Sequence, residues 1–287
     1  MAPVLVTGAA GFAGQALVAA LRADGREVVG AGHATDASVD FRITEDVLAL
    51  VDEVRPSLVF HLAGTSTLRE MLRDPHGGNY NVVQPAVNLM EALARVAPGT
   101  RLVLCSPCEV YGRAARLPTD ERSPLAPVDV YGAARAAVEY MSRSYAQRDV
   151  PVIVARAFHF TGPGQDRRWP LADLVARAAL GEPLEVGNPE LRRDYSDVRD
   201  IVRGLAVLGD RGEPGEAYNL CSGSTRSLRD LAAQALGEGA ELTLNPDLAI
   251  ATEVPVFLGS PARAEALGWR REWTLERTLA DLRASYR

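Results

Sequence analysis

A tyrosine and an arginine lie four residues apart in the segment Y-G-A-A-R at 131–135. Positions with this spacing share one face of a helix. A cation beside a phenol favours the ionised form and so lowers the phenol's pKa, which is ordinarily about 10. A phenol placed in this way can give a proton to a carbonyl oxygen while the carbonyl carbon receives a hydride. The pair raises the question of whether this is a reductase in which Tyr131 is the acid and Arg135 is the charge beside it.

Bulk composition excludes several other classes of protein. The chain has 287 residues, a formal net charge of −6 and 47% hydrophobic residues. It can bury a sizeable core, and it lacks the basic surface of a nucleic-acid-binding protein. Its apolar stretches are too short to span a bilayer, and its first residues enter a strand pattern without a basic leader. We expect a cytoplasmic protein with a small-molecule ketone substrate and with no nucleic-acid or membrane partner.

Short apolar runs alternate with helical patterns through the first half of the chain. This alternation predicts an α/β fold, a doubly wound parallel sheet of Rossmann type. Beyond about residue 160 the alternation loosens, which predicts a smaller C-terminal substrate-binding subdomain. We assign residues 1–157 to a dinucleotide-binding domain and residues 158–287 mainly to that subdomain, interleaved with returning elements of the sheet. The predicted strands cover 3–8, 27–32, 57–64, 101–106 and 150–158, and the predicted helices cover 11–23, 45–54, 81–95 and 131–147.

A glycine-rich turn follows the first predicted strand. In T-G-A-A-G-F-A-G at 7–14, the glycines are Gly8, Gly11 and Gly14. Glycine lets the backbone turn tightly and approach a pyrophosphate, whose charge is stabilised by the helix N-terminus. The spacing is one residue longer than the usual dinucleotide motif, and such a turn alone is a weak signal. Its place after the first strand, with strand–helix units following, predicts a dinucleotide cofactor.

The end of the second strand favours NADP(H) over NAD(H). NAD sites usually place an acid there to bind the ribose 2′-hydroxyl. Here the strand ends in Gly32 and His33, and no acid occurs until Asp36. The absence of a carboxylate removes repulsion against a 2′-phosphate, and His33 can donate a hydrogen bond to it. The alternative is that His33 is an exposed loop histidine without a ligand.

Further motifs continue along almost the whole chain. In the first half they are D-F (40–41), H-L-A-G (61–64), N-Y-N-V-V-Q-P-A-V-N-L-M-E-A-L (79–93), E-V-Y-G (109–112), L-P-T-D-E (117–121) and Y-G-A-A-R (131–135). In the second half they are F-x-x-T-G-P-G-Q (158–165), V-G-N-P-E-L-R-R-D-Y-S-D-V-R-D (186–200), Y-N-L-C-S-G (218–223) and E-V-P-V-F-L-G-S-P…A-L-G-W (253–269). Together they resemble the extended short-chain dehydrogenases/reductases. The C-terminal half is most similar to the GDP-4-keto-6-deoxymannose reductases.

The resemblance implies roles for the matching positions. The glycine turn would bind the pyrophosphate, Asp40 and Phe41 would flank the adenine, and Arg193 would hold a substrate diphosphate. The predicted catalytic residues are Tyr131, Arg135 and Ser106. The predicted cofactor-binding residues are Gly8, Ala10, Gly11, Phe12, Gly14, His33, Asp40, Phe41, Leu62, Ala63, Gly64, Tyr131, Arg135 and Phe158. The predicted substrate-binding residues are Thr65, Ser66, Cys108, His159, Arg193 and Ile250.

Two departures from the family pattern concern the chemistry. The family's active-site serine or threonine lies five residues before the glycine of V-Y-G, and here that position is Pro107, which has no hydroxyl. Ser106 is one residue away, on the opposite face of an ideal strand. The usual lysine after the tyrosine is Arg135, which keeps the charge but is a planar fork that does not deprotonate. Ser106, Thr65, Ser66 and His159 are the possible auxiliaries to Tyr131.

Two further departures concern substrate recognition. His159 replaces an asparagine of the reductase motif, and it is either a pocket histidine satisfied by its neighbours or a donor to a different substrate. Ile250 stands where the family carries an arginine that helps to bind the nucleotide. The loss of a charge-assisted contact costs about 1.5–3 kcal/mol of binding. An apolar residue at this position suits an uncharged or aromatic ligand better.

The cysteines give no further prediction of a site. Cys105 and Cys108 form a C-x-x-C, and with Cys221 the count is odd. Without a second ligand pair or a thioredoxin-like setting, we interpret the spacing as chance and expect no metal. The resemblance also implies a possible homodimer through the helices that start near Asn81 and Tyr131, although a monomer stays open.

Three functions remain open from the sequence. The first is a NADPH-dependent ketoreductase of a natural product, in which an aromatic polyketide substrate could assist its own protonation. The second is a GDP- or dTDP-linked 4-keto-6-deoxyhexose reductase, which Arg193 favours and the departures at Pro107, His159 and Ile250 oppose. The third is an inactive NADP(H)-binding sensor or scaffold, which the survival of Tyr131 and Arg135 opposes.

Overall fold

A central parallel sheet organises the protein, and the computed structural model describes residues 2–64, 67–236, 241–250 and 254–287. The strands are β1 (Val4–Thr7), β2 (Val28–Gly32), β3 (Ala37–Ser38), β4 (Leu58–His61), β5 (Arg101–Pro107), β6 (Val152–Ala157), β7 (His159–Thr161), β8 (Glu185–Val186), β9 (Arg192–Arg193), β10 (Tyr195–Asp197), β11 (Ala217–Leu220), β12 (Arg226–Ser227) and β13 (Thr243–Leu244). The helices are α1 (Phe12–Ala23), α2 (Thr44–Val54), α3 (Leu68–Arg73), α4 (Pro75–Val96), α5 (Val130–Tyr145), α6 (Pro170–Leu180), α7 (Val198–Arg211), α8 (Leu228–Leu236), α9 (Ala262–Ala266) and α10 (Leu275–Ala284).

The seven-stranded sheet has the order β11-β6-β5-β4-β1-β2-β3, and its neighbours are all parallel. Its inner strands are almost continuously apolar, as the buried segment V-L-V at 4–6 illustrates. Strands covered on both faces need such sequences. The order reverses between β1 and β4, and the carboxyl ends of the strands at this point form the usual ligand crevice of an open α/β sheet.

Helices cover both faces of the sheet. On one face α2, α4 and α5 bury Leu50, Leu89 and Val138 against β4 and β5. On the other face α1 and α7 bury Leu17 and Leu205. The predicted doubly wound sheet is therefore confirmed.

The C-terminal half builds a smaller subdomain from short strand pairs and three helices. The pairs are β10 with β7, β9 with β12, and β8 with β13. Leu171 of α6, Leu231 of α8 and Leu282 of α10 share one apolar cluster. Helix α7 and strand β11 instead return to the central sheet. The smaller subdomain is confirmed, whereas a boundary at residue 157 stays a prediction.

Two predicted boundaries differ from the structure by more than two residues. Helix α4 begins at Pro75, before the predicted start at 81, because Asp74 accepts a hydrogen bond from Gly77 N at 2.9 Å and caps the helix. Strand β4 ends at His61, before the predicted end at 64, because the backbone turns there over the end of β1. No helix in the described ranges combines the length and apolarity that a membrane crossing requires.

Candidate active site

A cavity of about 1530 Å³ lies at the carboxyl ends of β1, β4, β5 and β6. The glycine turn, Tyr131 and Arg135 all line it. The C-terminal subdomain closes the far end with Arg193, Ile250 and other residues. Most predicted site residues are thus brought to one cavity, although they come from elements far apart in the chain. Thr65 and Ser66 lie outside the described residues.

The glycine turn leads directly into α1. Gly11 is the N-cap of the helix, and the first helical hydrogen bond joins Gln15 N to Gly11 O at 2.9 Å. The amides of residues 12–14 therefore precede that bond and are available to an anion. A Cβ on Gly14 would lie 2.1 Å from Gly8 O, so only glycine lets the turn fold this tightly against the helix. Ala10 and Phe12 also line the cavity here.

A buried hydrogen-bond network that the sequence analysis missed supports this turn. Thr7 Oγ1 lies 2.8 Å from His61 Nδ1 and accepts hydrogen bonds from Leu62 N at 3.2 Å and Ala63 N at 3.3 Å. Burial, and then the Arg135 charge, lower the pKa of His61 to about 3, so its ring is neutral. This network fixes the end of β4, and it places Leu62, Ala63 and Gly64 on the cavity wall.

The other end of the cavity contains His33 and the D-F pair. Asp36 does not line the cavity, because its carboxylate binds Gly30 N at 2.8 Å and the Arg22 guanidinium. Asp40 pairs with Arg42, and this hydrogen bond holds the pKa of Asp40 at about 2. The exposed His33 and Arg42 both line the cavity, and Arg42 is a cation that the sequence analysis did not identify.

Phe41 and Phe158 are placed more deeply than the other cofactor candidates. Phe41 is buried in the core beside β4, and its carbonyl accepts a hydrogen bond from Asn88 Nδ2 at 3.0 Å. Phe158 is also buried, with its ring centroid 6.2 Å from that of Tyr111. Both residues contribute to the cavity wall, so contact with a cofactor stays a prediction for each.

Tyr131 lies in the first turn of α5, and Arg135 lies one turn later. Asp129 caps the helix by accepting a hydrogen bond from Gly132 N at 2.8 Å. A Cβ on Gly132 would lie 2.6 Å from Glu109 O, so the glycine of the Y-G pair lets this helix start press against the turn after β5. The guanidinium carbon of Arg135 is 5.5 Å from the Tyr131 ring centroid.

Burial dominates the electrostatics of Tyr131. It raises the pKa of the phenol above its ordinary value, while the charge and hydrogen bond of Arg135 act in the opposite direction. Arg135 acts in the expected direction, but desolvation of the phenolate is the larger effect, so the pKa of Tyr131 is raised overall. Tyr131 therefore remains a protonated phenol at neutral pH, which is the form that can donate.

Ser106 at the end of β5 lines the cavity, but its hydroxyl is not exposed there. The strand continues through Pro107, so the proline does not break it. Ser106 is buried between the half-buried Cys105 and Pro107, as strand alternation requires. Ser106 Oγ is inaccessible and has no hydrogen-bond partner among the residues described. This position gives no support to Ser106 as a proton donor in this conformation.

Three chemically active side chains meet just beyond β5. Cys108 Sγ lies 3.7 Å from His159 Nδ1 and 3.6 Å from Glu109 Oε2, and His159 Nε2 lies 3.6 Å from Glu109 Oε1. Burial raises the pKa of the Cys108 thiol and of the Glu109 carboxyl. Burial, and then the Arg193 charge, lower the pKa of His159 to about 3. Sequence analysis missed Glu109, although it stands in the quoted E-V-Y-G motif.

Aromatic rings form the wall around His159. The His159 ring centroid lies 5.6 Å from that of Tyr195 and 5.6 Å from that of Phe257. The Arg193 guanidinium carbon lies 5.2 Å from the Phe257 centroid. Arg193 also donates to Val254 O at 2.8 Å, which fixes its position. All four residues line the cavity, and Ile250 lies on the same side, half-buried.

Sequence comparison with known proteins agrees with a dinucleotide-dependent site. Residues 4–221 match the model of the NAD dependent epimerase/dehydratase family. The GDP-6-deoxy-D-mannose reductase of Pseudomonas aeruginosa is 31% identical over 293 residues, which cover 96% of this chain and 94% of that protein. The UDP-glucose 4-epimerase of Mycolicibacterium smegmatis is 31% identical over 306 residues and 96% of each chain.

A solved structure leads to the same conclusion. RMD from Pseudomonas aeruginosa, in complex with NADPH, superposes with a TM-score of 0.88 at 29% identity, over 100% of this chain and 99% of that one. The sheet order and glycine turn of this chain are those expected of a nicotinamide-dependent enzyme. The chain belongs to the NAD dependent epimerase/dehydratase family, the extended short-chain dehydrogenases/reductases, and is an NAD(P)-dependent oxidoreductase.

Proposed function

We propose that the protein is an NADPH-dependent ketoreductase that converts a ketone of a specialised metabolite to an alcohol. The observation that carries this proposal is the buried, protonated Tyr131 beside Arg135, in the same cavity as the glycine turn. The cofactor supplies a hydride to the carbonyl carbon. The phenol gives its proton to the carbonyl oxygen, and Arg135 stabilises the phenolate that remains.

The far end of the cavity favours an aromatic substrate. Tyr195, His159 and Phe257 supply ring faces and edges, and Ile250 supplies an apolar side chain. Stacking of a planar ligand against such rings is favourable by about 0.5–1.5 kcal/mol per pair beyond the area buried. An acidic phenol next to the ketone could pair with Arg193 and assist protonation.

We propose NADPH as the cofactor because of the charges at the adenine end. His33 and Arg42 border the cavity there, while Asp36 is engaged by Arg22 and the backbone. Asp40 lies at the same end, and its pairing with Arg42 reduces the repulsion of a 2′-phosphate. The complex of RMD with NADPH supports this choice by analogy.

A second candidate is a nucleotide-sugar 4-keto-6-deoxyhexose reductase. Arg193 faces the cavity, where it can hold a diphosphate. The relative from Pseudomonas aeruginosa is a GDP-6-deoxy-D-mannose reductase. Against this candidate, Ile250 offers no charge-assisted contact to a nucleotide.

Calorimetric titration with NADPH, NADH, GDP and dTDP separates these functions. We expect NADPH to bind at least about tenfold more tightly than NADH, with no heat from either nucleotide; tenfold corresponds to about 1.4 kcal/mol. His33→Ala should reduce the NADPH preference, and Arg73→Ala, at an exposed site outside the cavity, is the matched control.

Turnover then decides between the enzyme and the sensor. Oxidation of NADPH should be followed with aromatic polyketide ketones as acceptors. If GDP or dTDP binds, the acceptor tested in this assay should be a keto-sugar nucleotide instead of an aromatic ketone. Tight NADPH binding without oxidation in the presence of either substrate class would identify an inactive cofactor-binding protein.

We also propose that α4 and α5 form a homodimer interface. These helices pack side by side, and they carry the exposed aromatic residues Tyr80 and Tyr140. Light scattering should give twice the chain mass of 30.8 kDa. Tyr140→Glu should shift the mass to that of one chain, and a wild-type protein of single-chain mass would refute the interface.

A further inference from the structure

Cys108, Glu109 and His159 converge at the boundary between the sheet and the substrate subdomain. Cys108 and Glu109 lie in a 3-10 turn (Cys108–Tyr111) directly after β5, and His159 begins β7. Each offers one ligand atom, and the three atoms lie within 4.8 Å of one another. Because His159 is far from the other two along the chain, the cluster exists only in the folded protein.

The contact between His159 and Glu109 is too long for an ordinary nitrogen–oxygen hydrogen bond. The His159 Nε2 to Glu109 Oε1 distance is 3.6 Å, whereas N–H···O bonds have lengths of about 2.7–3.2 Å. A tetrahedral zinc has Zn–S bonds of about 2.3 Å and Zn–N or Zn–O bonds of about 2.0–2.2 Å, which separate neighbouring ligand atoms by about 3.3–3.6 Å. His159 can give only one ring nitrogen to an ion. With Nδ1 as that ligand, the distances from Cys108 Sγ to Nδ1 and to Glu109 Oε2, 3.7 and 3.6 Å, are close to this separation.

We propose that Cys108, Glu109 and His159 bind one Zn²⁺ ion whose fourth coordination position opens into the active-site cavity. Thiolate, imidazole and carboxylate are all zinc ligands, and three protein ligands with one open position are typical of catalytic zinc. The burial of the three residues supports an open coordination position that faces the cavity. Cys108 is buried behind the wall, whereas Glu109 and His159 line the cavity itself.

The charge of the surroundings is compatible with the ion. A dication bound by a thiolate and a carboxylate is electrically neutral as a unit, so it adds no net charge beside Arg193. Binding must release the thiol proton and any proton held by Glu109. The ionisable groups that interact with the cluster include Arg193, Tyr195, Tyr131, Asp129 and Asp194.

The position of the site suggests what the ion does. Its open coordination position shares a cavity with Tyr131, where a Lewis acid can polarise a carbonyl oxygen. Pro107 cannot supply the hydroxyl that would otherwise donate to that oxygen. This role of the ion rests on the proposed reductase function. The binding of zinc does not, so the two can fail separately.

Titration of the chelator-treated full chain with Co²⁺ and Zn²⁺ tests the site without substrate or NADPH. We expect one equivalent of Co²⁺ with a thiolate-to-metal charge-transfer band, displaced by one equivalent of Zn²⁺. Cys108→Ser should abolish the band and weaken Zn²⁺ binding by about 100-fold or more, and His159→Gln should weaken binding similarly. Changes to residues around a metal's ligands already cost about 10–100-fold in affinity.

Cys105→Ser is the matched control, because Cys105 belongs to the same C-x-x-C but not to the cluster. It should retain the band and the affinity. Absence of stoichiometric binding by the wild type, or a band that survives Cys108→Ser, would refute the site. Loss of the band in Cys105→Ser would assign the metal to the C-x-x-C pair instead. If Cys108→Ser does not fold, undiminished Zn²⁺ affinity in a folded His159→Gln variant would also refute the proposal.

Discussion

Arg135 lies one helical turn after Tyr131, with its guanidinium carbon 5.5 Å from the tyrosine ring centroid, and both side chains are buried. Burial destabilises the phenolate, and the neighbouring cation stabilises it. Burial is the larger influence, so the pKa of Tyr131 is raised. Arg135 thus leaves the phenol protonated at rest and is placed to stabilise the anion that forms when the proton leaves.

Replacement of Tyr131 by phenylalanine tests the proton donor. Tyr131→Phe should lower kcat by about 10²–10⁴ because it removes only the donor. The affinity for NADPH, measured by calorimetry, should change little. Tyr140→Phe is the matched control, since Tyr140 is an exposed tyrosine on the same helix. Retention of most activity in Tyr131→Phe would transfer the proton-donating role to the substrate.

The pH profile of the reduction follows from the direction of this pKa. A donor with a raised pKa stays protonated as pH increases, so kcat should remain level up to about pH 10. His159, with a pKa of about 3, is neutral throughout the neutral range and should add no inflection near its ordinary value. Steady-state rates across this range would measure the profile. A decline centred near pH 7 would show that another group supplies the proton.

Two variants separate the positive charge of Arg135 from the planar shape of its guanidinium group. Arg135→Lys keeps the cation, and Arg135→Met removes it. We expect Arg135→Met to lower kcat by at least about tenfold, because loss of the cation further raises the pKa of Tyr131. Arg135→Lys should retain more activity than Arg135→Met. A gain of rate on keto-sugar nucleotides in Arg135→Lys would favour the nucleotide-sugar reductase, and wild-type rates in both variants would remove Arg135 from the catalytic machinery.

The glycine turn gives a prediction about the cofactor. A Cβ on Gly14 would lie 2.1 Å from Gly8 O, a backbone atom that can move only with the whole turn. Gly14→Ala should therefore weaken NADPH binding by more than about tenfold, which calorimetry can measure. Gly25→Ala, at the other end of α1, is the control. It has a positive φ but meets no atom within 4 Å, so it should cost stability and spare NADPH binding.

Much of the fold was predictable because local patterns and sheet packing agree. The apolar strands with a glycine turn after the first specify the order of elements, and Y-G-A-A-R places Tyr131 and Arg135 on one helix face. The start of α4 was predicted too late because its capping residue, Asp74, lies before the apolar pattern begins. The net direction of the Tyr131 pKa could not be predicted from sequence, because desolvation depends on packing from several segments.

The contacts between distant segments were the least predictable part of the site. Nothing in the local sequence places His159 against Glu109 and Cys108, since β7 meets the end of β5 only through the folded sheet. The ring wall of Tyr195 and Phe257 arises in the same way, from β10 and from the segment after Val254. The inaccessibility of Ser106 Oγ follows from strand alternation, which the sequence did indicate.

The last prediction concerns a buried ion pair that holds α5 to the sheet. Arg156 of β6 and Glu139 of α5 form hydrogen bonds as short as 2.8 Å, and their side chains are only 5% and 2% exposed. Arg156 Nη1 also donates to Tyr111 Oη at 2.9 Å. Removal of one partner leaves a buried charge, so Arg156→Met should lower the free energy of unfolding by about 3–5 kcal/mol.

A double variant separates the pair from the packing of its side chains. Arg156→Met combined with Glu139→Leu should recover most of the stability, because apolar residues of similar volume often replace a buried pair without loss. Arg95→Met, which breaks an exposed pair with Glu91, is the control and should cost at most about 1 kcal/mol. Urea unfolding measures all three. If the double variant is no more stable than Arg156→Met, the loss arises from packing and from the hydrogen bond to Tyr111, and the uncompensated charge of Glu139 is not its cause.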